Sequence, residues 1–220
     1  MPNGSGLAGR ETGPRSWLRQ HLQEPLQAKV GGAARLRIIV LLAAVLALSS
    51  ADLGVISAIS VELKNDLGVG NTGIGVLVSA STAVGAIATL PMGVIADRAN
   101  RVKLLSVSIF IWCAAIVGCG AATSYQMLLI TRIALGLLVA AAGPLVASLI
   151  GDLFPAAERG RIYGYILSGE IIGIGFGLLV CGNVAAALSW RYAFWVLVPP
   201  GLLLGWAIWR FLPEPSRDGT

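Results

Sequence analysis

The amino-acid sequence predicts an all-α integral membrane protein, a bundle of six transmembrane helices. Three observations predict this fold class. Of the 220 residues, 56% are hydrophobic and only 12% are charged, about half the charged fraction of a typical soluble domain. The mean hydropathy is +0.80. Six stretches each carry the roughly 20 apolar residues that a helix needs to cross ~30 Å of hydrocarbon.

These stretches divide the chain into three parts. Residues 1–35 form a polar N-terminal tail, residues 36–212 form the six-helix bundle, and residues 213–220 form a short polar C-terminal segment. The predicted spans are 36–61, 72–96, 104–122, 125–150, 162–188 and 190–212. In the tail, apolar residues at near-helical spacing (Trp17, Leu18, Leu22 and Leu26) fit a helix lying on the inner leaflet. A disordered basic tail fits equally well.

The distribution of positive charge predicts the orientation. Thirteen of the sixteen basic residues lie in the tail, in the connections between spans 2 and 3 and between spans 4 and 5, or at the C-terminal end. The opposite face carries only Lys64 and Arg191. Cytoplasmic segments are the ones enriched in Lys and Arg. We therefore expect both termini in the cytoplasm and the bundle in the cell (inner) membrane, with the lipid bilayer as its surroundings.

Several function classes are disfavoured by the composition. The basic residues are not pooled in one patch, which argues against nucleic-acid binding. The three cysteines lie inside apolar runs without metal-ligand spacing, and the only histidine, His21, lies in the tail. We therefore expect no metal and no cofactor. An intramembrane enzyme is also disfavoured, because no span carries a histidine or a serine flanked as a nucleophile.

Small residues at a spacing of four predict tightly packed helices. In lipid, close approach of backbones drives helix association. The stripes are Ser81, Gly85, Thr89 and Gly93 in the second span, Gly136, Ala140, Pro144 and Ser148 in the fourth, and Gly169, Gly173 and Gly177 in the fifth. The pairs Gly143-Pro144 and Pro199-Pro200 each free a backbone carbonyl and predict bends in the fourth and sixth spans.

Three ionisable residues fall inside spans: Asp52, Arg132 and Glu170. Each costs about 2.5–3.5 kcal/mol or more at the centre of a lipid-facing helix, so such residues face partners or cavities. At 1.5 Å per residue, Asp52 and Arg132 lie roughly 13 and 10 Å below the outer surface. They are therefore expected to pair, as a coupling site for substrate or protons or as a purely structural ion pair. Glu170 is expected roughly 12 Å from the inner face, at another level and with other partners.

The connection between the second and third spans carries the most specific motif. Its sequence resembles the signature loop of the major facilitator superfamily, G-x-(L/I)-A-D-R-x-G-R-(K/R), and the matching positions are Gly93, Ile95, Ala96, Asp97, Arg98 and Arg101. Asn100 replaces the usual glycine, and asparagine tolerates the left-handed backbone of such a turn. This R-x-N-R form resembles the Spinster-like branch. Weaker matches are residues 132–136, 150–160 and 190–194.

The resemblance implies a secondary active transporter that moves a small organic solute by alternating access, with protons as a candidate coupling ion. It implies that Gly93, Asp97, Arg98 and Arg101 form a cytoplasmic gate. It also places Asp52 and Arg132 in the central cavity, at the acidic and arginine positions of Spinster-like members. Neither the substrate nor the direction of transport follows from the sequence.

The family has twelve helices, so the resemblance implies that this chain is the N-terminal half, built as two inverted three-helix repeats, and that residue 213 begins the central cytoplasmic linker. A second six-helix half is then an expected partner, either a separate chain or a second copy. The alternative is a non-transporting membrane subunit that stabilises another membrane protein. In that case the ion pair is structural, and removing it harms folding rather than transport.

Overall fold

A computed structural model describes residues 32–214, so most of the predicted tail and most of the 213–220 segment lie outside the described residues. Residues 39–220 form one compact unit, and the other unit, residues 1–38, is described only over its last seven residues. The described residues are helical and contain no strand. The helices are α1 (Ala33–Ala58), α2 (Ser60–Leu67), α3 (Asn71–Arg98), α4 (Arg101–Gly120), α5 (Tyr125–Val139), α6 (Ala142–Leu153), α7 (Ala156–Phe176), α8 (Gly182–Ala187), α9 (Trp190–Trp195) and α10 (Val198–Phe211).

The six predicted spans are confirmed. Six helices or helix pairs are long and apolar enough to cross a membrane, and they are Ala33–Ala58, Asn71–Ala96, Arg101–Gly120, Tyr125–Leu153, Ala156–Ala187 and Trp190–Phe211. We call them the first to sixth spans. Most boundaries agree with the prediction to within a few residues, but the fifth span begins six residues earlier, directly after Pro155. Helix α2, after the first span, was not predicted.

The fourth and sixth spans are interrupted where the prolines predict it. In the fourth span α5 ends at Val139 and α6 begins at Ala142. Pro144 has no N–H to donate to the carbonyl four residues earlier, which lies in this gap. In the sixth span α9 ends at Trp195, and Pro199-Pro200 lie in the first turn of α10, where a missing N–H is tolerated.

The fifth span contains a segment that was not predicted from the sequence. Residues Gly177–Cys181 form a π-helix between α7 and α8. Such segments are rare and often occur at functional sites, because the extra residue in the turn redirects the side chains that follow. Gly177 and Cys181 of this segment are both buried against the rest of the bundle.

The glycine stripe of the fifth span packs directly on the backbone of the first span. A Cβ atom added to any of its three glycines would overlap a carbonyl of α1, in the pairs Gly169–Ala43, Gly173–Ala47 and Gly177–Ala51. On the opposite side of this contact, a Cβ at Gly54 would lie 2.7 Å from the carbonyl oxygen of Ile174. The predicted tight packing is thus present, and it fixes the fifth span beside Asp52.

A second close contact joins the second and fourth spans. A Cβ at Gly136 would overlap the backbone of Ser81, and a Cβ at Gly85 would lie 3.2 Å from the carbonyl oxygen of Gly136. Gly93 lies at the end of the predicted stripe but has no atom within 4 Å of its Cβ position. The stripe therefore brings the helices together in its first half and not at Gly93.

Replacing Gly173 by valine is expected to destabilise the bundle by about 3 kcal/mol or more, because the new side chain has to displace the α1 backbone. Gly175→Val is the matched control, since no atom lies within 4 Å of the Gly175 Cβ position. Thermal unfolding in detergent compares the two variants. Equal unfolding temperatures would contradict the packing described here.

Candidate functional site

The described bundle contains a cavity of about 520 Å³ whose walls come from the first, second, fourth and fifth spans. This volume falls in the range of small-molecule sites. The walls are mostly apolar, with hydroxyl groups from Ser49, Ser50, Ser81, Thr82 and Thr89. Three charged residues also lie on the walls, and they are the three that the sequence analysis singled out: Asp52, Arg132 and Glu170.

Asp52 and Arg132 form a buried ion pair. The Nη1 atom of Arg132 donates to Oδ1 of Asp52 over 2.6 Å. Asp52 is 3% exposed and Arg132 1% exposed, so water screens the pair far less than a surface pair. Breaking a buried pair by removing one partner costs about 3–5 kcal/mol, because the remaining charge is left uncompensated. The structure therefore brings together the two residues that the sequence placed at similar depth.

The neighbouring helices hold the pair in place. Asp52 lies on α1 one residue after Ala51, whose backbone contacts Gly177. Arg132 lies on α5 one turn before Gly136, whose backbone contacts the second span. The two glycine contacts thus set the separation between the helices that carry the pair. The Nε atom of Arg132 is buried and has no hydrogen-bond partner among the described residues, so the guanidinium has a donor not used by Asp52.

Glu170 lies on the wall of the same cavity, although the sequence placed it at another level. It is half-buried and forms no hydrogen bond or ion pair with any described residue. The fifth span begins at Ala156 rather than at residue 162. Counted from that start, Glu170 lies roughly 21 Å along the helix instead of roughly 12 Å. An unpaired acid and an ion pair therefore share one chamber.

At the predicted cytoplasmic end, the proposed gate is described only in part. The side chains of Asp97 and Arg98 lie outside the described residues. Arg101 forms an ion pair with Asp152, at the end of the fourth span. Asn100 has φ −69°, so the backbone is not left-handed as expected, and its side chain instead caps α4 by accepting from the Lys103 N–H over 2.8 Å.

Glu214, which the sequence analysis did not single out, also caps α4. Its carboxylate accepts from the backbone N–H groups of Arg101 and Val102 over 3.0 and 2.9 Å. A negative charge at a helix N-terminus is favourable, because the unpaired N–H groups there carry partial positive charge. The contact joins residues 113 positions apart, so only an acid following the sixth span could have signalled it.

At the other end of the bundle, three elements meet in a polar cluster. Asp66 of α2 accepts from Trp190 Nε1 over 2.8 Å and from Arg191 Nη1 over 3.0 Å. The guanidinium of Arg191 lies 4.3 Å from the Trp190 ring centre and donates to the carbonyl of Ala122 over 3.4 Å. The hydrogen bond from Trp190, followed by the contact with Arg191, lowers the pKa of Asp66 below its usual 3.8.

Because the pKa of Asp66 is lowered in the folded state, its contribution to stability is present above pH 3.8 and lost as pH falls through the lower folded value. Asp66→Asn is therefore expected to unfold at a lower temperature than the parent protein at neutral pH, and the gap between the two should narrow below pH 3.8. Thermal unfolding of both proteins across this range measures the gap. A gap that does not change with pH would contradict the cluster.

Comparison with known proteins bears on this geometry. The sequence matches the model of the Major Facilitator Superfamily over residues 40–220. The chain belongs to the Major Facilitator Superfamily. The expected resemblance is thereby confirmed, and the six spans are consistent with half of a twelve-helix transporter of this superfamily.

Curated relatives in the superfamily carry the names of transporters. The chain is 30% identical over 162 residues to the "Probable 4-methylmuconolactone transporter" of Cupriavidus pinatubonensis, covering 72% of this chain and 38% of the relative. It is 35% identical over 150 residues to the "Probable sphingolipid transporter spinster homolog 3" of Arabidopsis thaliana, covering 65% and 27%. The chain thus spans well under half the length of these relatives.

Solved structures of the superfamily share the fold. A bacterial homolog of the human lysosomal transporter Spinster, inward-facing and unoccupied, has a TM-score of 0.76 and 24% identity, covering 85% of this chain and 45% of its own. The xylose transporter XylE from E. coli, in an inward-open conformation, has a TM-score of 0.71 and 20% identity, covering 82% and 48%. In both cases the bundle corresponds to about half of the neighbour.

Proposed function

We propose that this chain is one half of a secondary transporter that moves a small organic solute across the membrane by alternating access, with protons as the coupling ion. The observation that carries the proposal is the buried Asp52–Arg132 pair on the wall of a 520 Å³ cavity. An intramembrane ion pair facing a cavity is costly, and such pairs mark ion and substrate pathways.

The cavity walls indicate the class of solute. They combine large apolar areas with hydroxyl groups and the three charged residues. Apolar surface holds a ligand of this size, while a few polar groups orient it. Relatives and neighbours are named for 4-methylmuconolactone, L- and D-galactonate, a sphingolipid and xylose. We therefore propose a small organic solute with polar groups on a partly apolar frame.

The ion pair supplies a mechanism for coupling. When a proton neutralises Asp52, the attraction between the carboxylate and the guanidinium of Arg132 is lost, and the guanidinium becomes available to the solute. A proton can drive transport only if it binds the two conformations of the protein with different affinity. A buried pair meets this condition when one conformation holds it closed and the other opens it.

A second six-helix half is part of the proposal. Alternating access requires two bundles that rock around one site. Of the six spans, the second and fifth are the least buried within the described bundle, at 17% and 22% of their apolar windows. Both also line the cavity. We propose that the second half, a separate chain or a second copy, closes the cavity against these two spans.

The remaining assignments follow from the sequence patterns. We propose that the protein lies in the inner membrane with both termini in the cytoplasm, since the basic residues concentrate at that end. We propose that Gly93, Asp97, Arg98 and Arg101 form the cytoplasmic gate. The ion pair between Arg101 and Asp152 links this loop to the fourth span, which also carries Arg132. Movement of the fourth span would therefore reach both the pair and the gate.

Proteoliposomes holding the assembled transporter test the proposal. A pH gradient is imposed, and the uptake of 4-methylmuconolactone, D-galactonate, D-xylose and a sphingolipid is followed. We expect at least one solute of this panel to accumulate above its external concentration and to leak out when a protonophore collapses the gradient. Accumulation that does not respond to the gradient would contradict proton coupling.

A further inference from the structure

The guanidinium of Arg132 has a second neighbour behind the ion pair. Cys119, on α4 in the third span, is fully buried and close enough to Arg132 to share a hydrogen bond with its guanidinium. No residue of the third span lies on the cavity wall. Cys119 therefore approaches Arg132 from the side away from the chamber.

Thr131 fixes the direction of the Cys119 thiol. The Cys119 Sγ atom lies 3.3 Å from Thr131 Oγ1. That hydroxyl is already directed at its own helix, with Oγ1 2.8 Å from the Leu128 carbonyl and 3.1 Å from the Met127 carbonyl. A hydroxyl has a single proton, so the thiol must donate to Thr131, and the sulfur lone pairs are left for Arg132.

The position of Thr131 is itself set by packing. A Cβ at Gly118 would lie 3.2 Å from the Thr131 methyl carbon. This glycine, one residue before Cys119, gives the third span room to approach the threonine. The third span thus supplies a close-packed wall and a sulfur acceptor at one place.

We propose that Cys119 is a positioning residue for Arg132, which holds the guanidinium from behind so that one end meets Asp52 and another donor is free for the solute. The inference rests on the proposed function, in which this pair couples proton and solute. Asp52 holds the guanidinium through Nη1 alone over 2.6 Å, and a single contact leaves its orientation to other neighbours.

The first test is the ¹⁵N spectrum of the arginine side chains of the full chain in nanodiscs. The Arg132 Nε–H resonance is assigned by its loss in Arg132→Lys. We expect Cys119→Val to shift this resonance, and Cys119→Ser, which keeps an acceptor, to return it most of the way. Cys113→Val is the matched control, because Cys113 is also buried on α4 but lies against Val198. It should leave the resonance unchanged.

The second test is proton-driven uptake in liposomes. Cys119→Val is expected to lower uptake about tenfold at an equal amount of folded protein, since small displacements of a binding group have effects of this size or more. Cys119→Ser should restore most of it. Thr131→Val removes the acceptor of the thiol proton and should shift the resonance as well, which keeps the inference testable if Cys119→Val does not fold.

An unchanged Arg132 resonance in both Cys119→Val and Thr131→Val would overturn the inference. The proposed function fails by a different result, namely uptake in Asp52→Asn that still follows the pH gradient. A normal dependence on Asp52 together with identical behaviour of Cys119→Val and Cys113→Val would reject the positioning role and leave the coupling pair in place.

Discussion

Asp52→Asn is expected to abolish accumulation of solute driven by a pH gradient while leaving exchange of solute across the membrane measurable. Asparagine keeps the size of the side chain and an oxygen that accepts from Arg132, but it cannot take up a proton. Accumulation should fall at least tenfold, to the level reached without a gradient. The measurement is uptake into proteoliposomes with and without a pH difference.

Asp52→Glu is the control for this result. It retains a titratable carboxylate near Arg132, and some gradient-driven accumulation should persist. Because asparagine leaves the Arg132 charge unneutralised inside the bundle, the amount of folded protein has to be measured for each variant. Full gradient-driven accumulation by folded Asp52→Asn would remove Asp52 from the coupling mechanism.

Arg132→Ala is expected to have the largest effect on stability among the changes to the pair. It leaves the carboxylate of Asp52 uncompensated and removes one of the largest fully buried side chains of the protein. Loss of one partner of a buried pair costs about 3–5 kcal/mol. Thermal unfolding in detergent should show a large fall in the unfolding temperature, and little folded protein should be recovered.

The double variant Asp52→Asn/Arg132→Gln separates the structural role of the pair from its role in transport. Both replacements are neutral and of similar shape, so no uncompensated charge remains, and replacing both partners is often close to neutral for stability. We expect folded protein with exchange but without proton-driven accumulation. If the double variant accumulates solute like the parent protein, the pair is structural, as the subunit alternative requires.

Much of the fold could be predicted from the sequence because its determinants are local. Hydropathy over about 20 residues identifies each span, and prolines lack a donor wherever they occur, so the interruptions near Pro144 and Pro199 followed directly. The helical rise converts residue number into depth, which brought Asp52 and Arg132 to one level. The glycine stripe at Gly169 and Gly173 likewise depends on a repeat visible in the chain itself.

The rest depended on contacts between distant segments. Asp66 meets Trp190 and Arg191 only because the first and sixth spans end side by side, and nothing in the residues around Asp66 indicates these partners. The sulfur behind Arg132 was assigned to an apolar run for the same reason. The depth of Glu170 was misjudged for a local reason, since the polar first turns of α7 did not register as part of a span.

The central claim is that the Asp52–Arg132 pair couples proton movement to solute movement, and simultaneous measurement of both fluxes tests it most directly. A pH-sensitive dye in lightly buffered proteoliposomes reports protons while labelled solute, chosen from those that accumulate, reports transport. We predict that protons move with the solute in the parent protein, and that the double variant Asp52→Asn/Arg132→Gln exchanges solute without moving protons. Proton movement of parental size in that variant would contradict the claim.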